Sequence, residues 1–249
     1  MTILDQSLCM LQGVSPEAEI RLLRGGVLTC EQLATEADRY FSPRHAKRIR
    51  ESYAEWKIAC SHSMVDWIVG HLPPGHRVRA LAAYMDDALF YDIETDGTTS
   101  SGCITCISTL RKGEVRSFWE GHNMADFLIE WAKAKIVVSF NGKRFDSPIV
   151  AKAFGLAALP AQIDLMDEAA HYGYRGGLKI VEKHFGFNRK TKECSNGKDA
   201  IRLWAEYIAT REQASLDTLL AYNREDVLAL PVVAKGILRL SLANTIIDL

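Results

Sequence analysis

The sequence predicts an α/β domain with a mixed β-sheet, preceded by a small all-helical region. Two observations support this prediction. From Ala88 onward short apolar runs alternate with helical stretches, whereas residues 1–84 are helical in pattern throughout. Between the two parts, the stretch HLPPG at 71–75 contains Pro-Pro-Gly, which is a strong linker signal. We therefore expect two domains, a helical one at 1–84 and an α/β one at 85–249.

The N-terminal region contains a candidate helical hairpin. A longer helix is predicted to begin at Ser42-Pro43, because Ser is a favoured N-cap and Pro a favoured first helical residue. Before it, LQGVSPEAEIRLLRGGVLTCEQLA at 11–34 resembles a helix-hairpin-helix that grips a DNA backbone. Ser15 stands where that motif has a glycine, and Glu19, in place of a small residue, would repel phosphate. A DNA clamp and a purely structural hairpin both remain open.

The order of elements in the second region is three strands, a helix, a strand, a helix, a strand and then helices. The predicted strands are LFYDIE (89–94), CITCISTL (103–110), VRSFW (115–119), IVVSF (136–140) and a short run at 162–165. Helices are predicted at 125–134, at 147–155 with Ser147 as cap, and near 166–186, 199–211 and 214–230. This order predicts a mixed sheet flanked by helices.

Composition excludes several classes of protein. The chain has 249 residues, of which 48% are apolar, enough for a sizeable core. It has no basic leader followed by an apolar run and no apolar stretch near the roughly 18 residues of a spanning helix, so we expect a cytoplasmic protein without membrane contact. Its six cysteines are scattered, which is typical of free thiols. With a net charge of −1, any nucleic-acid contact must come from local basic clusters, at 42–50 and 187–198.

Two carboxylates lie at the end of the first predicted strand. Side chains alternate along a strand, so Asp92 and Glu94 project from the same face and Ile93 from the other. Buried charges need a partner, and a divalent cation would neutralise this pair. The alternative is that the strand has already ended and the pair lies in a solvated turn.

Two further acids have the same ambiguity. Asp146 follows the strand IVVSF and precedes Ser-Pro, so it is either a metal ligand or a helix cap. Asp226 lies four residues after Tyr222, so the two share a helix face and can point at a common site. Asp226 could instead be an exposed helix carboxylate.

Together these segments resemble a known set of motifs. DIE at 92–94, NGKRFD at 141–146 and YNRED at 222–226 are similar to the three exonuclease motifs of the DnaQ-like 3′–5′ exonucleases in the RNase H-like superfamily. The tyrosine indicates the DEDDy branch, since the histidine branch has His where this chain has Ala221. The resemblance runs from about Leu89 to Leu240 and is nearest to the bacterial YprB-like ribonuclease H-like domain, with likeness also to the proofreading domain of family B DNA polymerases. It implies an RNase H-like fold, in which three antiparallel strands are followed by parallel ones.

The resemblance also implies a mechanism that uses two divalent cations, Mg²⁺ or Mn²⁺. Asp92 would bridge both ions, Glu94 and Asp226 would complete one, and Asp146 would serve the other. Tyr222 would orient the attacking water, acting by position because a free tyrosine has a pKa near 10.

Other residues are expected around these ligands. Asp164 is a candidate for a position just outside them, although an acid at a strand-to-helix junction is commonly a cap. Phe145 matches the aromatic that packs beneath the site, and we expect it in the core. Substrate contacts are expected from Asn141, Thr95, Arg189, Lys190 and Lys192.

These observations predict a metal-dependent 3′–5′ exonuclease. DNA is favoured over RNA as its substrate because of the hairpin-like N-terminal segment. The alternatives are a 3′–5′ exoribonuclease and a non-catalytic nucleic-acid-binding module. The last is weakened because all four acids and the tyrosine are present. Endonucleolytic cutting is less favoured, since true RNase H enzymes lack the Tyr-x-x-x-Asp pairing.

Overall fold

The computed structural model describes residues 2–98, 103–190, 196–243 and 245. Two compact units divide the chain: Met1–Met85 with Gly236–Leu249, and Asp86–Lys235. In the described part of the chain, no helix combines the length and apolar character needed to cross a membrane. The five cysteines in that part are free thiols, as predicted, and Cys194 lies outside the described residues.

The first unit is helical, with two helices joined by the turn at 25–29 and followed by three more. The helices are α1 (Pro16–Arg24), α2 (Cys30–Tyr40), α3 (Pro43–Ser61), α4 (Val65–His71) and α5 (Arg79–Tyr84). Capping explains where the first two helices begin. The Ser15 side chain accepts the N–H of Ala18, and the Thr29 side chain accepts the N–H of Gln32.

A buried ion pair lies in the core of this unit. Glu19 is 1% exposed and Arg79 is fully buried, and Nη1 of Arg79 lies 2.9 Å from both carboxylate oxygens. Arg79 also donates to the hydroxyl and the carbonyl oxygen of Ser241, at 2.7 and 2.6 Å. The expectation that Glu19 repels phosphate is therefore wrong, because its charge is held inside the unit by Arg79.

The second unit is built on one sheet. Its strands are β1 (Ala88–Thr95), β2 (Ile104–Arg111), β3 (Glu114–Trp119), β4 (Ile136–Ser139) and β5 (Ala161–Asp164), in the order β3-β2-β1-β4-β5. β1 pairs antiparallel with β2, and β2 with β3, whereas β1 with β4 and β4 with β5 are parallel. The predicted mixed sheet is confirmed, and β1 lies at its centre.

The helices of this unit are α6 (Phe127–Trp131), α7 (Asp146–Phe154), α8 (Leu165–His171), α9 (Leu178–His184), α10 (Gly197–Thr210) and α11 (Gln213–Leu242). Two predictions were wrong. The helix predicted at 166–186 is divided into α8 and α9, because Gly173 and Gly176 between them have positive φ. The helix predicted to end at 230 continues through Pro231, because the buried Leu230 and Val233 on either side of it hold the helix in the core of this unit and packing outweighs the lost backbone hydrogen bond. The residues of α11 from Gly236 onward belong to the first unit.

The two faces of β1 have different partners. Leu89, Tyr91 and Ile93 belong to a buried cluster with α6 and α7. The opposite cluster joins Cys106 of β2 to residues of α10 and α11, including Tyr222. Asp92 and Glu94 alternate with the first set, so they lie on the sheet face that α10 and α11 cover.

The Glu19–Arg79 pair makes a testable contribution to stability. Glu19→Ala is expected to lower the free energy of unfolding by about 3–5 kcal/mol, because it leaves a buried guanidinium without its carboxylate. Urea denaturation of the full chain measures the loss. Asp38→Ala is the matched control, since Asp38 pairs with Arg50 at 2.9 Å with both side chains exposed, and its loss should be less than about 1 kcal/mol. Similar losses in the two variants would contradict this account.

Candidate active site

Three carboxylates meet on the covered face of the sheet. Single ligand atoms of Asp92, Glu94 and Asp226 all lie within 4.8 Å of one another. β1 continues to Thr95, and Asp92 and Glu94 are partly buried within it. The solvated-turn alternative is therefore excluded. Asp226 comes from α11 and is buried, so it is not an exposed helix carboxylate.

Asp146 lies beside this group and not within it. The parallel register of β1 with β4 covers Ala88 to Phe90, and further along β1 the N–H of Ile93 donates to Oδ1 of Asp146 at 3.2 Å. Asp146 is the first residue of α7 and is buried. It is close enough to raise the pKa of both Asp92 and Glu94.

Burial and mutual repulsion raise the pKa values of these four carboxyl groups. Desolvation is the largest cause for each. It raises the pKa of Glu94 to about 8 and that of Asp146 to about 7, and neighbouring carboxylates add to both shifts. The pKa of Asp92 is raised well above its ordinary value by burial and then by Asp226 and Asp146. A bound cation would therefore stabilise the ionised forms of these carboxyl groups.

Asp164 organises the turn that presents Asp146. Its carboxylate, at the end of β5, accepts the backbone N–H groups of Asn141 at 2.7 Å, Lys143 at 3.1 Å and Met166 at 3.0 Å. It therefore caps α8 and also ties down the β4–α7 turn. In that turn Gly142 has no room for a side chain, because a Cβ would lie 2.0 Å from Oγ of Ser139.

Ser147 has a different role from the predicted helix cap. It lies inside the first turn of α7, and its Oγ is 2.7 Å from the hydroxyl of Tyr91 and 2.7 Å from Oε1 of Gln162. Since Tyr91 is buried in β1 and Gln162 lies in β5, this hydroxyl joins α7 to both strands. The start of α7 is therefore fixed from two sides.

Two residues hold the carboxylates in a way that the sequence did not indicate: Asn223, which was not singled out, and Arg189, which was expected only as a substrate contact. Nδ2 of Asn223 donates to Oδ2 of Asp92 at 2.7 Å. Arg189 donates to Oδ1 of Asp226 and, through Nε and Nη2, to both oxygens of Glu182 at 2.6 and 2.8 Å. Asn223 lies three residues before Asp226 on one helix, and that spacing could have marked it.

Lys179 is a third residue whose place at the site the sequence did not indicate. Its Nζ lies 4.2 Å from the centroid of the Tyr222 ring, within the range of a cation–π contact. Its charge lowers the pKa of both Glu94 and Asp226, against the larger effect of burial. Tyr222 itself is buried, and its ring packs among apolar side chains of α10 and α11.

A groove of about 950 Å³ begins beside Glu94. Its remaining lining comes from the end of β1, from the start of α7 and from α10: Thr95, Gly97, Thr98, Phe145, Pro148, Ile149, Lys152, Asn196, Gly197, Lys198 and Ile201. The volume is in the range of small-ligand sites, about 300–1,000 Å³. The walls are largely apolar, and two lysines add positive charge.

The expectation for Phe145 was wrong. Phe145 is 48% exposed and lines the groove, because it precedes the first turn of α7 and is not in the core. The guanidinium of Arg189 lies between the carboxylates of Glu182 and Asp226 with only 14% of the side chain exposed, and its expected contact with the substrate backbone remains a prediction.

The other predicted substrate contacts have separate positions. Thr95 lines the groove, and the exposed Lys190 uses its backbone N–H to bind Glu225 at 2.6 Å. Asn141 has left-handed backbone geometry, with φ of 64°. Lys192 lies outside the described residues. Substrate binding by Thr95, Lys190, Lys192 and Asn141 remains a prediction.

A mixed sheet in this strand order, with carboxylates clustered on its central strand, is the architecture of an RNase H-like nuclease fold. The sequence matches the RNase_H_2 family, of the RNase_H superfamily, over residues 89–237. The chain therefore belongs to the RNase H superfamily.

Comparison with solved structures gives a distant similarity. The chain is similar to a solved structure of the family B DNA polymerase from the hyperthermophilic archaeon Pyrobaculum calidifontis, with 19% identity and a TM-score of 0.49. The similarity covers 61% of this chain and 24% of the polymerase chain. None of the curated proteins matches the sequence.

The raised pKa values predict how stability depends on pH. Because the folded carboxyls hold protons that the unfolded chain has lost, stability in EDTA should fall as the pH rises from about 4.5 to 8. Asp92→Asn removes one charge from the cluster. It should raise the melting temperature at pH 8 by at least about 2 °C, corresponding to roughly 1 kcal/mol, and raise it less at pH 5.

Scanning calorimetry at the two pH values measures this difference. Asp217→Asn is the control, since Asp217 is an exposed acid on the same helix as Asp226. If Asp92→Asn raised the melting temperature equally at both pH values, repulsion within the cluster would not be the cause of the increase.

Proposed function

We propose that the chain is a divalent-cation-dependent 3′–5′ exonuclease of the DnaQ-like tyrosine branch. The observation that carries the proposal is the gathering of Asp92, Glu94 and Asp226 within 4.8 Å, with Asp146 beside them. Carboxylate oxygens are hard ligands and at this spacing fit Mg²⁺ or Mn²⁺. Asp92, Glu94, Asp226 and Asp146 would hold two such cations, which would stabilise the attacking and leaving oxygens of phosphodiester hydrolysis.

The chain's own residues supply orientation. Tyr222 lies one helical turn before Asp226, and its proposed role is to position the attacking water beside that carboxylate. Lys179, next to the Tyr222 ring, adds a positive charge that would favour a phosphate at the same place.

The groove beside Glu94 supports a substrate with an accessible strand end. Its exposed Phe145 offers a ring on which a base can stack, and Lys152 and Lys198 offer charges for phosphates. DNA is proposed over RNA because the sequence at 11–34 resembles a helix-hairpin-helix that grips a DNA backbone.

Cleavage of end-labelled strands tests the proposal. With Mg²⁺ or Mn²⁺, 5′-labelled single-stranded DNA should shorten from its 3′ end one nucleotide at a time. Asp92→Ala should abolish this shortening while the protein remains folded, because the residue expected to join both cations is lost. Parallel reactions use duplex DNA, RNA and circular single-stranded DNA. Cutting of the circle would replace the exonuclease proposal with an endonuclease. Binding without cleavage of any substrate would indicate a non-catalytic module.

Tyr222→Phe tests the role of the hydroxyl alone. If that group positions the attacking water, turnover should fall by about 10²-fold, within the range for losing a positioned acid–base group. Binding of substrate in Ca²⁺ should be unchanged, since the phenol is not proposed as a ligand. Single-turnover cleavage and equilibrium binding measure the two effects. Wild-type turnover would leave Tyr222 with a packing role only.

A further inference from the structure

Asn223 is a buried polar residue within the YNRED segment that the motif comparison does not use. It is fully buried on α11, and its Nδ2 lies 2.7 Å from Oδ2 of Asp92. The direction of this hydrogen bond follows from the chemistry, because the amide nitrogen of asparagine donates and does not accept. Among the described residues, no other hydrogen bond reaches the Asp92 side chain.

The amide is a suitable donor for a cation ligand because it is neutral. Arg189, which holds Asp226, brings a full positive charge that partly neutralises its carboxylate. Asn223 instead orients the Asp92 carboxylate and leaves its negative charge available to cations. The second oxygen of Asp92, Oδ1, is left for a ligand.

The carbonyl oxygen of the Asn223 amide indicates that this side chain is not there for packing. Oδ1 of Asn223 is buried without a hydrogen-bond partner among the described residues. Such a group costs free energy, and an apolar side chain of the same size would avoid that cost. The neighbouring contacts hold α11 in register: Nε of Arg224 donates to Oγ of Ser117 at 2.8 Å, and Glu225 accepts the N–H of Lys190. Asn223 is therefore a hydrogen-bond donor whose position is fixed by the contacts of α11.

We propose that Asn223 is a positioning residue that sets the orientation of Asp92 for cation binding. This inference rests on the proposed function only in assuming that Asp92 is a cation ligand. Partners of this kind typically contribute 10–100-fold to metal affinity or activity. Asn223 acts through Asp92 and does not itself contact the cation.

Mn²⁺ binding tests the proposal without requiring turnover. Asn223→Leu keeps the approximate size of the side chain and removes the donor, and Mn²⁺ affinity, measured from the electron paramagnetic resonance signal of free Mn²⁺, should fall by about 10-fold or more. Ser108→Ala is the matched control. Ser108 is buried and lies opposite Asp92 in the β1–β2 register, but its hydroxyl bonds to Ser117 at 3.0 Å and not to the carboxylate.

Asn223→Ala provides a second variant if the leucine does not fold, as judged by circular dichroism. A folded Asn223 variant with wild-type Mn²⁺ affinity would overturn the proposal, and so would an equal loss in Ser108→Ala. Wild-type protein that binds Mn²⁺ but cleaves nothing would refute the exonuclease and leave the Asn223 comparison intact. Wild-type protein that binds no Mn²⁺ would overturn both.

Discussion

Three carboxylates that repel one another are held within 4.8 Å at the centre of the second unit, and much of the surrounding structure maintains this arrangement. Burial and repulsion raise the pKa of each. On a flexible segment, the carboxylates would move apart and so reduce their repulsion. Here Asp92 and Glu94 cannot separate, because β1 lies in the middle of a five-stranded sheet and α11 is packed against the same face.

Three of the four acids at this site, Asp92, Asp146 and Asp226, have a donor, and each donor is of a different kind. Asp92 accepts from the neutral amide of Asn223, Asp146 from a backbone N–H of β1, and Asp226 from the guanidinium of Arg189. The charge of Arg189 is in turn shared with Glu182. The donors therefore hold all three of these carboxyl groups, and of the three donors Arg189 alone brings a formal charge.

The carboxylate cluster and the groove share two short segments of chain. On β1, Glu94 belongs to the cluster and the next residue, Thr95, lines the groove. At the start of α7, Asp146 lies beside the cluster while the preceding Phe145 lies in the groove wall. A small shift in either segment would therefore change the groove and the carboxylate cluster together.

The sequence by itself determined the succession of strands and helices along the chain, the mixed sheet and the shared face of Asp92 and Glu94, because side-chain alternation and turn residues are local properties. The order of the strands within the sheet came from the structure. Motif spacing likewise marked Asp146, Tyr222 and Asp226 as candidates. The tertiary structure decided which groups meet across long separations. Asn223 contacts Asp92 131 positions away, and Arg189 contacts Asp226 37 positions away. Periodicity describes the face that a residue shares with its near neighbours, whereas its partner on another element is set by how strands and helices pack. The same packing carries α11 past Pro231, where local preference alone predicts an end.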